Sequence, residues 1–168
     1  MKLFSGFLLV LSLSLLILGL EREGYGQPKE DPLIVKFAYA QEKIRQGDIW
    51  RVYLSVTDPE SRMHRVVCRI RQAGGGDSYK PVTIYLKKGM ERQFTGHFAL
   101  YTNAPVELDD FVLELSILDR GGNERKTFRF PLEFDRSAEP MKPLPPEMEK
   151  EFNQRIGVID IDWALRGD

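Results

Sequence analysis

Residues 111–134, FVLELSILDRGGNERKTFRFPLEF, decide the fold. Phe111, Leu113, Leu115 and Ile117 alternate with Val112, Glu114 and Ser116, and Phe128, Phe130, Leu132 and Phe134 alternate in the same way. A period of two is the mark of a half-buried strand. Between the runs, Asp119-Arg120-Gly121-Gly122-Asn123 supplies glycines able to take positive φ, so the two runs read as a hairpin.

The same alternation extends upstream. Leu33, Val35, Phe37 and Tyr39 are expected on one face of a first strand, and Trp50, Val52, Leu54 and Val56 on one face of a second. Val66, Cys68 and Ile70 give a third strand, and Val82, Ile84 and Leu86 a fourth. Phe94, Phe98 and Leu100, sharing a face across Gly96, give a fifth. Asp58-Pro59, Gly74-Gly75-Gly76-Asp77 and Lys88-Gly89 break the runs with turn chemistry. The expectation is an all-β protein, a seven-stranded antiparallel immunoglobulin-like β-sandwich whose alternating faces form one core. Simple antiparallel order places the loops at 58–62, 88–90 and 120–123 at one end. The loops at 41–48, 73–77 and 102–110 lie at the other, from which the C-terminal tail also leaves.

Leu54-Ser55-Val56-Thr57-Asp58-Pro59-Glu60 and Ile117-Leu118-Asp119-Arg120-Gly121-Gly122-Asn123 resemble the turns of bacterial immunoglobulin-like and fibronectin-type-III-like modules. The resemblance covers roughly residues 33–134. It implies a fold used for adhesion, spacing or ligand binding, and a fold alone assigns no function.

The ends of the chain differ from its middle. Met1-Lys2 precedes an uncharged run from Leu3 to Leu20, the pattern of an export signal. Gly24 and Gly26 are spaced as a cleavage site, which would leave Gln27 as the mature start. The alternative is an uncleaved anchor, so that the membrane is met only through residues 3–20. Either reading places the protein in the periplasm or outside the cell. The expected organisation is a signal peptide or anchor at 1–26, a linker at 27–32, the sandwich at 33–135, and a Pro-rich linker with a C-terminal extension at 136–168. In that extension Pro146 is suited to the first position of a short helix, with Glu147, Glu149 and Glu151 following. Met148, Phe152 and Ile156 make one stripe, and Ile159, Ile161 and Trp163 alternate with Asp160 and Asp162. These apolar groups need a surface. They dock on the chain's own sandwich, or Met148, Phe152, Ile159, Ile161 and Trp163 bind a protein partner in the cell envelope.

Composition narrows the function classes. The formal net charge is -1, without the basic excess of a nucleic-acid binder. The single cysteine, Cys68, rules out an intramolecular disulfide, and its alternation with Val66 and Ile70 makes it a core residue rather than a nucleophile. His64 and His97 lack cysteine or carboxylate neighbours at zinc spacing, so no metal and no cofactor is expected. Asp58, Glu60, Asp119 and Asn123 have the oxygen chemistry of a calcium site but are better explained as turn residues. Arg65, Arg69 and Arg71 line one strand face, with Lys80, Lys87 and Lys88 near in sequence. Such a row is either a solvated face or a surface for an acidic polymer or phospholipid headgroups. The terminal Arg166-Gly167-Asp168 tripeptide is too short to carry an argument. No nucleophile, acid and base converge on a catalytic motif. The sequence therefore points to an exported non-enzymatic module that binds or spaces, with the far-end loops or residues 152–163 as contacts. The alternative is a carbohydrate- or polymer-binding module using Tyr53, Tyr85 and Tyr101.

Overall fold

The computed structural model describes residues 33–72, 79–102, 110–140 and 144–160. The export segment, the Gly74–Gly76 turn, Ile161, Trp163 and the terminal tripeptide lie outside the described residues. The described strands are β1 (Ile34–Ala40), β2 (Lys43–Ile44), β3 (Ile49–Thr57), β4 (Arg65–Gln72), β5 (Val82–Tyr85), β6 (Gln93–Tyr101), β7 (Asp110–Leu118) and β8 (Glu124–Phe134). Helix α1 (Pro146–Phe152) and β9 (Arg155–Ile159) follow. They form two sheets, β1-β3-β6-β9 and β2-β8-β7-β4-β5.

All seven anticipated strands are present, and two more join them. The sandwich is not purely antiparallel: β2 pairs with β8 in parallel, as does β9 with β6. Parallel pairing requires a crossover connection. For β6 and β9 that connection runs through β7, β8 and α1.

The inward faces match the alternation. Trp50, Val52, Leu54, Val56, Phe94, Phe98 and Leu100 of the first sheet meet Val66, Cys68, Ile70 and the inward residues of β7 and β8. Trp50 is wholly buried and its indole Nε1 donates to the Gln41 carbonyl (2.7 Å). A buried N–H left unpaired would cost its desolvation.

β1 departs from the expected pattern. Val35 pairs with Val56 but Phe37 pairs with Ser55, so one extra residue, Lys36, is inserted between them. A bulge of one residue sends every later side chain to the opposite face. Phe37 and Tyr39 therefore sit on the outer face of the first sheet rather than in the core.

That outer face is where the C-terminal extension lies. Phe152, 2% exposed, packs against the rings of Phe37 (4.9 Å) and Tyr53 (6.0 Å). Pro146 takes the first helical turn as anticipated, but the helix stops at Phe152, and Ile156 belongs to β9. Ile156 and Ile159 enter the core cluster, so the first sheet takes its fourth strand from beyond residue 135.

Candidate functional site

Three surfaces carry the residues singled out by sequence. The first is the covered outer face of the first sheet. The His97 amide donates to the Gln154 carbonyl (2.9 Å), and its ring donates from Nδ1 to the Phe152 carbonyl (2.9 Å). That imidazole serves as a fastener for the extension rather than as a metal ligand.

Two glycines let the extension come this close. A Cβ on Gly96 would stand 2.1 Å from the Gln154 carbonyl oxygen, and one on Gly157 2.6 Å from Ile84 Cδ1 of β5. Sequence reading missed their role; the available sign was a glycine inside the β6 pattern, which marks close approach of another chain segment. Of the residues considered for partner binding, Phe152 and Ile159 are buried within this chain and Met148 is half-buried. Ile161 and Trp163 lie outside the described residues. Tyr53, considered for sugar stacking, is covered by Phe152, and burial pushes its phenol pKa up. Tyr85 and Tyr101 remain exposed.

The second surface is the loop end. Register and hydrogen bonds bring the 58–62, 88–91 and 119–123 loops together, as antiparallel order required. Asp58 is wholly buried: Oδ1 accepts from the Glu60 amide (2.9 Å) and Oδ2 from the Arg62 amide (3.0 Å). Arg125, from the start of β8, sets Nη2 3.5 Å from both Asp58 Oδ1 and Glu60 Oε2, and Glu60 also pairs with Arg62. In the next turn Asp119 accepts from the Asn123 amide and side chain (2.9 Å each), which holds its carboxyl pKa below the usual aspartate value. These carboxylates are engaged in building turns. Among the described residues no three His, Cys, Asp or Glu groups gather as metal ligands. Cys68 is buried, and burial pushes its thiol pKa up to about 12.

The third surface is the side of the sandwich opposite β9. There, among the described residues, β1 pairs only with β3, and Ile34, Val35 and Tyr39 are 52%, 38% and 46% exposed. Between β1 and β8 runs a groove of about 540 Å³, walled by residues 38–42 and 128–131. Pro131, which has no N–H to offer, stands on the β8 wall. On β1 itself Lys36 is the one charged residue.

No family model and no curated protein matches the sequence. Among solved structures, the chain is similar to the crystal structure of a Paenibacillus sp. cycloisomaltooligosaccharide glucanotransferase complexed with cycloisomaltoheptaose. The identity is 12% and the TM-score 0.45, over 60% of this chain and 14% of that one. A likeness of that depth carries no argument about function.

Proposed function

We propose that the protein is an exported, non-enzymatic immunoglobulin-like module of the cell envelope that binds a protein partner along the open edge of β1. One observation carries the reading: β1 is a seven-residue edge strand with exposed apolar side chains, beside an open groove, guarded by a single lysine. Natural sandwiches commonly blunt such edges with charge, proline or a covering segment, because unpaired N–H and C=O groups recruit a further strand. The far side of the same sheet is covered by β9 from the chain's own C-terminal extension. An extended partner segment added to β1 would gain main-chain hydrogen bonds there, and the groove would sort its side chains. The export pattern at residues 3–20 supports an envelope setting, with the module held or released according to cleavage.

The test is site-specific photocrosslinking in the native envelope, with the probe at Tyr39 and, as a comparison, at Lys87 beyond β5. The reading predicts a discrete crosslinked partner from position 39 only, lost in the I34K/Y39K variant while its melting temperature is kept. No adduct at position 39, or the same adduct from both positions, would overturn it. Intact-mass measurement of the mature chain tests the export step; a retained Met1 would exclude cleavage.

A further inference from the structure

Arg65, Arg69 and Arg71 alternate along β4 with the buried Val66, Cys68 and Ile70, so they stand on the solvent face of the second sheet. The register continues the row across neighbouring strands. Arg69 lies opposite Glu114 on β7, and Glu114 lies opposite Arg129 on β8. The Glu114 carboxylate is held from two sides, 3.4 Å from Arg71 Nη2 and 3.1 Å from Arg129 Nε. Its side chain is 13% exposed, whereas those of Arg71 and Arg129 are 58% and 72% exposed. Each guanidinium has five N–H donors, so both arginines keep donors open to solvent after binding Glu114. Arg69 has no carboxylate within ion-pairing distance among the described residues. Beside them the Ser116 and Thr127 hydroxyls bond to each other (2.6 Å), and with Glu124 these groups line a shallow depression of about 360 Å³.

We infer that this depression binds an acidic polysaccharide, taking the carboxylate of a uronate unit on Arg69, Arg71 and Arg129. The planar guanidinium fork matches a carboxylate, and Glu114 already shows this chain's arginines holding one. Sugar hydroxyls require acceptors as well as donors, and the Glu114 and Glu124 carboxylates and the Thr127 hydroxyl supply acceptors around the guanidinium donors. The same two glutamates leave the three arginines with one net positive charge, which suits a monoanionic carboxylate better than a dianionic phosphate. Arg65 to Arg71 spans roughly 20 Å at strand rise, which suits an extended polymer lying along β4. The depression lies on the second sheet and shares Arg129 alone with the groove beside β1, so R69Q separates this binding from the β1 edge.

The experiment is isothermal titration of the full mature chain with an oligogalacturonate at low ionic strength, beside neutral dextran oligomers, inorganic phosphate and phosphatidylglycerol vesicles. Binding to oligogalacturonate alone, weakened by added salt, is expected. R69Q and R129Q should each weaken it roughly ten- to a hundredfold, the range for losing a charged hydrogen-bond partner. K150Q, on α1, should leave it unchanged, and melting curves confirm that each variant is folded. Absence of oligogalacturonate binding, binding that persists in R69Q and R129Q, or comparable uptake of vesicles or phosphate would each overturn the inference.

Discussion

Replacing Gly96 by alanine probes the junction between β6 and the returning C-terminal strand. The added methyl would lie 2.1 Å from the Gln154 carbonyl oxygen and 2.8 Å from Ile156 Cδ1. The isoleucine tip can rotate, but the carbonyl is backbone and is itself bonded to the His97 amide at 2.9 Å. Relief requires β9 to move off by about 1 Å, which takes that hydrogen bond beyond reach. Overpacking costs about 1–3 kcal/mol and the hydrogen bond about 0.5–1.5, while the reduced freedom of the unfolded chain returns about 0.4–1. The net expectation is a loss of about 0.5–4 kcal/mol, which lowers the thermal midpoint by up to several degrees in a chain of this size. The loss should be local, because Phe152, Ile156 and Ile159 leave together while the remaining core stays closed. Hydrogen exchange read on peptides covering 146–159 should therefore accelerate at least tenfold, with β7 and β8 keeping their protection. G89A is the control: Gly89 has φ +94° and no atom within 4 Å of its added methyl, so it pays for backbone strain alone and leaves the extension protected. Unchanged exchange at 146–159 in G96A, with a midpoint at or above that of the parent, would refute the close approach.

Other outcomes follow from the loop end and the core. D58A should cost about 3–5 kcal/mol by denaturant titration, since it strips Arg125 of a buried anion and two turn amides of their acceptor; D58N, which keeps one acceptor oxygen, should cost less. Cys68 should resist maleimide in the native state and label on unfolding. Its folded pKa of about 12 lies above the ordinary 9.0, so the unfolded chain loses the thiol proton first and stability declines as pH rises from 9 towards 12; C68A should flatten that decline. Asp119 has the opposite sign. Its folded pKa lies below the ordinary 3.8, so its contribution is present above that value and lost as pH falls through the folded one; N123A should move the carboxyl resonance midpoint back up.

The strands of the two sheets were legible because each alternates apolar and polar residues over enough length to reveal a period of two, as β3 and β7 do. β2 has two residues and no period to read. The bulge at Lys36 leaves no compositional trace, so Phe37 and Tyr39 were assigned to the core face although register sends them outward. β9 was obscured by the apparent helical spacing of Met148, Phe152 and Ile156; the helix ends at Phe152 because Ile156 gains more by joining β6 and entering the core. The arginine row on β4 was visible in sequence. Its partners were not, because Glu114 and Arg129 reach it only through the pairing of three strands.

Whether the C-terminal extension is part of the sandwich determines which surfaces are left for binding. If β9 completes the first sheet, the free surfaces are the β1 edge and the arginine face; if it is free, the tail itself is the contact. Backbone NMR of the protein separates these directly. The account predicts cross-strand NOEs between Phe98 and Gly157, Ala99 and Val158, and Leu100 and Ile159, in the parallel register. Random-coil shifts across 155–159 with none of these NOEs would contradict it.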